Sequence, residues 1–269
     1  MKINPLNPHS IWAGTTEGTY HSADAGSTWQ LVHSQKMVSD IDISPADTST
    51  IYISCGQSGT PGEGIYKSIN NGNSFIQLTN GLPSTFSGKV RLAIAPSNAN
   101  IIYASIAEQQ SGDGIYKSIN AGATWTHANS TNVQSYQGWY AHDVAISSNN
   151  PNNLFCAGVN LFSSINGAIT LDSLSYIAYN FHADIHRIYY SPNDINTIYL
   201  CTDGGIFRTT DNALTFESCV DGYQTGQMYA NFSSASGDST LALGGFQDNY
   251  TNRFSGTPYW LSVLGGDGM

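Results

Sequence analysis

Ser22-Ala23-Asp24-Ala25-Gly26-Ser27-Thr28-Trp29 reads as a tight turn backed by an aromatic ring, and the chain writes it five times. Close copies are Ser68-Ile69-Asn70-Asn71-Gly72-Asn73-Ser74-Phe75 and Ser118-Ile119-Asn120-Ala121-Gly122-Ala123-Thr124-Trp125. Degraded copies run from Ser164 to Leu171 and from Thr209 to Phe216. The copies start at 22, 68, 118, 164 and 209, so they stand 46, 50, 46 and 45 residues apart. A period of that length marks an array of supersecondary units, each unable to bury its apolar face alone. Within a copy the physics is local. The Asp or Asn accepts backbone N–H bonds, Gly takes a positive φ, and the aromatic packs back between sheets. The motif therefore reports on fold far more than on activity.

Working outward, each copy is preceded by two strand-like runs. An aliphatic-aromatic pair recurs as Ile11-Trp12, Ile51-Tyr52, Ile102-Tyr103, Leu154-Phe155 and Ile198-Tyr199. A second run follows a glycine: Gly64-Ile65-Tyr66-Lys67, Gly114-Ile115-Tyr116-Lys117 and Gly205-Ile206-Phe207-Arg208. Short alternating runs between Gly, Pro and Asn clusters are strands. Each repeat thus holds four strands, A to D, with the quoted turn joining C to D. The expected fold is all-β, a β-propeller of four-stranded antiparallel blades forming one domain over residues 1–269. Blade 1, about 8–34, starts at strand B and lacks its first strand. Blades 2–5 cover about 38–222. Blade 6, about 226–264, has lost the turn motif, and a further blade starts at the C-terminus. About six blades suggest a truncated seven-bladed propeller, with a nearly closed six-bladed one as the alternative. Open blade edges would invite homodimerisation.

Composition narrows the function classes. The formal charge is −10 with only nine Lys and Arg, which argues against nucleic acid and anionic membranes as partners. Charged residues make up 10% of the chain, so Asn, Ser, Thr and Gly must cover the surface, as in secreted all-β proteins. No stretch is long and apolar enough to span a bilayer as a helix. Met1-Lys2-Ile3-Asn4-Pro5 lacks the apolar core of a signal peptide, so the chain reads as a mature or excised piece of a secreted protein. Cys55, Cys156, Cys201 and Cys219 lack metal-knuckle spacing and read as free thiols.

Chemistry is expected at one end of the blades, where B–C loops and D–A crossovers meet. The unusual segments fall there: Tyr136–Asp143, Phe181–Arg187, Thr202–Gly205, Gly244–Asn249 and Gly265–Gly268. Asp143, Asp184, Asp203, Asp248 and Asp267 should face this rim, with Glu17, Glu63 and Asp113 as the acids of blades 1–3. His182, Asp184 and His186 share one face if the segment is a strand, and such residues ligate divalent metals. Full extension would set the two histidines about 13 Å apart, so one ion could take two of the three, or all three if the backbone kinks, and hydrogen bonding of crossover amides competes with the metal reading. Asp203 ends a buried strand, where a carboxylate can act as acid or base; before two glycines it can equally be a turn former. Tyr136, Trp139, Tyr140, Tyr223, Phe246 and Tyr250 offer flat faces for sugars or for packing between blades. Trp139, Tyr140, Phe246, Gln247, Asn249 and Arg187 are the candidate substrate contacts.

The turn motif resembles the Asp-box (BNR repeat) of sialidases, sortilin-type propellers and xyloglucanases. His182-Ala183-Asp184-Ile185-His186, Asp203–Arg208, Gly244–Asn249 and Gly265–Gly268, in that order, resemble large secreted Bacteroidetes proteins with such repeats. The resemblance implies a secreted carbohydrate-active propeller. Thr202–Arg208 is similar to the strand and loop carrying one catalytic aspartate of the xyloglucanases. It implies an inverting, endo-acting glycoside hydrolase on a β-glucan or xyloglucan-like polymer, with Asp203 and a partner among Asp248, Asp184 and Asp267. An inverting pair stands about 6.5–9.5 Å apart. The alternative is a non-catalytic glycan- or protein-binding propeller, stabilised by a divalent metal ion. A sialidase is excluded: the arginines that clamp its substrate carboxylate are not matched by Arg91, Arg187, Arg208 and Arg253, none of which stands in an Arg-Ile-Pro context.

Overall fold

The computed structural model describes residues 1–57, 59–220 and 226–268. Tyr223 lies outside the described residues. Six antiparallel sheets of four strands follow one another along the chain, each ordered as its strands occur in sequence. Sheet 1 holds β1 (Lys2–Asn4), β2 (Asn7–Gly14), β3 (Thr19–Ser22) and β4 (Gln30–His33). Sheet 2 holds β5 (Val38–Ile43), β6 (Ile51–Cys55), β7 (Gly64–Ser68) and β8 (Ile76–Leu78). Sheet 3 holds β9 (Val90–Ile94), β10 (Ile102–Ala107), β11 (Gly112–Ser118) and β12 (Thr126–Asn129). Sheet 4 holds β13 (Asp143–Ile146), β14 (Leu154–Ala157), β15 (Leu161–Ser164) and β16 (Asp172–Leu174), followed by the one-turn helix α1 (Tyr176–Tyr179). Sheet 5 holds β17 (Ile185–Tyr190), β18 (Ile198–Thr202), β19 (Gly205–Thr209) and β20 (Glu217–Ser218). Sheet 6 holds β21 (Met228–Ala235), β22 (Asp238–Phe246), β23 (Thr251–Phe254) and β24 (Trp260–Leu264).

The chain separates into two units: Met1–Thr202 with Ile206–Glu217, and Asp203–Gly205 with Ser218–Met269. In the first unit the core lies between sheets. Tyr52, Ile65 and Leu78 of sheet 2 pack on Leu92, Ile94 and Ile102 of sheet 3 in one cluster. Ala93 and Tyr103 of sheet 3 meet Val144 and Leu154 of sheet 4 in the next. Phe155 and Leu161 of sheet 4 meet Ile188 and Leu200 of sheet 5 in a third. A sheet sandwiched this way is apolar on both faces, which is why β6, β9 and β10 are buried at every residue.

The first sheet corrects the sequence reading. Lys2–Asn4 pairs with β2, Ile3 opposite Ile11, so blade 1 has its first strand. A three-residue strand that the chain leaves through Pro5 and Leu6 carries too little alternation to register as a run. Gly265–Gly268, read as the opening of a further blade, adds no strand. It folds back so that the Gly268 N–H donates to the Phe246 carbonyl at 3.0 Å.

The turn motif behaves as its chemistry requires. Thr28 donates its N–H to Asp24 Oδ1 at 2.8 Å and its hydroxyl to Asp24 Oδ2 at 2.7 Å, while the Gly26 N–H donates to Ser22 Oγ at 2.8 Å. Asn120 repeats this geometry, accepting the Thr124 N–H at 2.9 Å. Two consecutive residues of each turn are left-handed, for example Asn71 at φ 53° and Gly72 at φ 79°. In the degraded copies Ala168 and Ala213 occupy the same conformation at φ 68°.

Candidate functional site

In the first unit, B–C loops and D–A crossovers do gather at one end, tied by hydrogen bonds between sequence-distant loops. Tyr136 and Trp139 donate their N–H groups to the Gln110 and Gln109 carbonyls at 2.7 and 2.9 Å. Gln57 Nε2 donates to the Trp139 carbonyl at 2.8 Å, and Lys89 Nζ to the Tyr140 carbonyl at 2.8 Å. Gly138 makes the approach feasible, since a Cβ there would stand 2.0 Å from the Glu108 carbonyl oxygen. The backbone of residues 136–140 is thus held from three other loops, while Trp139 keeps 46% and Tyr136 75% of its surface exposed. Trp139 and Tyr140 stand 5.2 Å apart between centroids, and Tyr140 meets His186 edge-on at 4.8 Å. An aromatic platform results. Gln57, Gln109, Gln110 and Lys89, which fix it, were missed from sequence because their role depends on loops closing on one another.

The His182, Asp184 and His186 segment does not form an extended strand. Asp184 is left-handed at φ 60°, and the β17–β18 register slips between Ile185 and Arg187, which places His186 at a bulge. Asp184 Oδ1 accepts from Gln137 Nε2 at 2.8 Å, and the His182 ring nitrogen Nδ1 lies 3.0 Å from the Ala183 carbonyl oxygen. Among the described residues no group of three His, Cys, Asp or Glu side chains is arranged to hold a metal ion. The bulge and the left-handed residue take the segment out of the extended form in which the three would share one face. Asp184 instead joins one crossover to the next.

Arg187 and Asp143 point away from the rim expectation. Arg187 Nη2 donates to Asp40 Oδ1 at 2.7 Å, and Nη1 to Asp143 Oδ1 at 3.3 Å. Each carboxylate also accepts a main-chain N–H, Asp40 from Leu92 at 3.0 Å and Asp143 from Ile188 at 2.8 Å. These groups line a cavity of about 680 Å³ among the first strands of the sheets, together with Lys2, which pairs with Asp42 at 3.1 Å. Burial pushes Asp143 up to about 6, against the pull of Arg187. Burial also pushes on Asp40, but Arg187 outweighs it and leaves that carboxyl below its ordinary range. Arg187, read from sequence as a substrate contact, is therefore committed to two buried carboxylates. Its partner Asp40 gave no sequence signal, lying 147 residues away.

In the second unit, Asp248 and Asp267 come together. The Asp248 N–H donates to Asp267 Oδ1 at 2.8 Å. Asp248 and Tyr250 are both left-handed, at φ 57° and 69°. Burial and the neighbouring Asp267 and Asp248 carboxylates raise the Tyr229 phenol. Asn249 Nδ2 donates to the Gln247 carbonyl at 3.2 Å, and Phe246 meets Trp260 edge-on at 5.9 Å. Asp203 sits in the turn between β18 and β19.

No protein-family model matches the chain, and no curated protein is similar to it. Solved structures do match. An ancestral GH74 enzyme aligns over 96% of this chain and 33% of its own, with a TM-score of 0.53 at 16% identity. YCF48 from Cyanidioschyzon merolae aligns over 99% of this chain and 86% of its own, with a TM-score of 0.52 at 15% identity. The extracellular domain of a B. thetaiotaomicron protein described as a hybrid two-component system aligns over 99% and 34%, with a TM-score of 0.57 at 15% identity. The six sheets are propeller blades. At these identities the likeness is one of fold, and the chain spans about a third of the length of the GH74 enzyme. No helix is long and apolar enough to cross a membrane among the described residues.

Proposed function

We propose that this propeller is an extracellular recognition module for neutral polysaccharide, binding through the platform of Tyr136, Trp139 and Tyr140. The observation that carries the reading is Trp139. An indole left 46% exposed gives up hydrophobic stabilisation, yet its backbone is fixed at both N–H and carbonyl by Gln109 and Gln57. A rigid exposed aromatic loses little entropy when a flat ligand stacks on it, which is the physics of a preorganised binding surface. The low charge content suits a neutral polymer.

Isothermal titration against xyloglucan, mixed-linkage β-glucan, xylan and pectin tests it. Trp139→Ala should weaken binding to the preferred polymer by at least about tenfold, equivalent to about 1.4 kcal/mol. Trp139→Phe should keep most of it, and both variants should melt with the parent. A Trp139→Ala protein that binds like the parent would reject the platform.

A hydrolase is the second reading, favoured by one observation. Asp248 and Tyr250 hold left-handed conformations beside the Asp267 carboxylate, and such strain is retained at functional sites. Reducing-sugar release lost in Asp203→Asn and in Asp248→Asn, with binding retained, would support it. An unchanged rate in both would eliminate it.

A further inference from the structure

Ser105 of β10 is fully buried, and its hydroxyl is shared by two side chains of one crossover. Gln134 Nε2 donates to Ser105 Oγ at 2.6 Å, and Ser105 Oγ lies 3.0 Å from His142 Nδ1. Gln134 and His142 are themselves at 0% exposure. They stand two residues before Tyr136 and two residues after Tyr140, so one hydroxyl joins both feet of the loop that carries the recognition platform. Gly112 leaves room for the Gln134 amide, since a Cβ there would stand 1.7 Å from Gln134 Oε1.

The donors fix the direction of these bonds. The serine oxygen accepts from Gln134, so its own proton goes to His142 Nδ1, which requires a neutral imidazole protonated on Nε2. Burial, then Arg91 and Lys89, keep that ring neutral. A blade does not require the hydroxyl. Two residues after the aromatic of the aliphatic-aromatic pair, blades 1 and 4 carry Gly14 and Ala157, and Ser54 of blade 2 donates to the Val90 carbonyl of β9 instead. The loop does require an anchor. Tyr136 is held at φ 66°, a left-handed conformation that a bulky residue keeps only where its surroundings over-determine it.

We propose that Ser105, acting on Gln134 and His142, is a positioning residue of the platform: it clamps both feet of the 134–142 loop and so sets how Tyr136 and Trp139 are presented to the glycan. The effect on glycan affinity rests on the platform reading, whereas the clamp does not. Removing the centre of such a network leaves two buried polar groups without their partner.

Amide hydrogen exchange reads the clamp without any ligand. In Ser105→Ala the Tyr136 and Trp139 amides, which bond to the Gln110 and Gln109 carbonyls, should exchange at least about tenfold faster than in the parent. Ser105→Thr keeps the hydroxyl and should restore slow exchange. Ser118→Ala removes an equally buried hydroxyl, bonded to Asn120 and Gly122 at the turn end of the same sheet, and should leave both amides at the parent rate. Isothermal titration with the preferred polymer should show Ser105→Ala weakened at least about threefold and Ser118→Ala unchanged. Where Ser105→Ala does not fold, Gln134→Leu frees one foot and should speed exchange at Tyr136. Parent-like exchange at Tyr136 in either variant, or equal acceleration in Ser118→Ala, would overturn the clamp. Faster exchange with undiminished glycan affinity would overturn the positioning role if Trp139→Ala does weaken binding. If Trp139→Ala binds like the parent, the platform reading has failed instead, and exchange alone decides the clamp.

Discussion

Arg187 Nη2 donates to Asp40 Oδ1 at 2.7 Å, joining the first strand of sheet 5 to the first strand of sheet 2. The Asp40 side chain is only 3% exposed, so the pair lies largely out of water. Removing one member of such a pair strands the other as an uncompensated charge, which costs about 3–5 kcal/mol. Arg187→Met should lose stability on that scale in urea unfolding. Arg187→Met with Asp40→Asn should be less damaged than Arg187→Met alone, because only Asp143, not both carboxylates, is then left without the guanidinium. If the single and double variants unfold alike, the pair is not the source of the loss.

The same cluster sets a pH dependence with opposing arms. Asp143 is raised to about 6 by burial, above an unfolded carboxyl near about 3.9. Its contribution is full below about pH 4 and is lost as pH rises toward about 6. Asp42, raised by burial against Lys2, acts in the same sense. His142 works the other way. Burial, then Arg91 and Lys89, hold it neutral, so acid weakens the fold once an unfolded histidine would protonate. The clean readout is a difference. Asp143→Asn should gain on the parent between about pH 4 and about pH 7, by an amount on the order of 2 kcal/mol. A stability difference that does not change across that range would refute the assignment.

How far the sequence could be read follows from the range of each interaction. The turn motif is local, so Asp24, Asn120 and their neighbours announced the blades before any fold was known. Strand β1 escaped because three residues show no period. The rim was legible as a place, since loops of one class share one end. Its residues were less so: Trp139 stands on display, while Arg187 lies in an inner cluster. Periodicity says which face a residue takes, but it cannot reveal that Asp40 waits 147 positions away. The conformation of the crossover was not legible either: a bulge and one left-handed residue replace the extended strand, and His-x-Asp-x-His encodes neither.

The turn aromatics should differ sharply in worth. Trp125 is 4% exposed, packs in the cluster with Tyr52 and Leu78, and donates from Nε1 to the Gly122 carbonyl at 3.1 Å. Trp29 makes the equivalent bond to Gly26 at 3.0 Å but remains 41% exposed. Trp125→Ala should cost about 3–5 kcal/mol through the cavity it leaves. Trp29→Ala should cost clearly less, about 1–2 kcal/mol, since 41% of its surface already lies in water and no closed cavity is left. Comparable losses in chemical unfolding would mean that the hydrogen bond, which both share, matters more than burial.

The left-handed turn residues give the last test. Gly72 has φ 79°, and a Cβ there would stand 2.4 Å from Trp12 Cη2. Trp12 is fully buried, so its ring cannot retreat. Gly72→Ala combines a left-handed penalty with overpacking and should destabilise by about 2–4 kcal/mol. Ala168 and Ala213 already bear the conformational part at φ 68°. Ala168→Gly and Ala213→Gly would relieve it but lose a packed methyl and add freedom to the unfolded chain. Those terms oppose, so each variant should stay within about 1 kcal/mol of the parent. A Gly72→Ala protein as stable as the parent would show that the turn can leave the left-handed region, and the reason for glycine in three of the five copies would lie elsewhere.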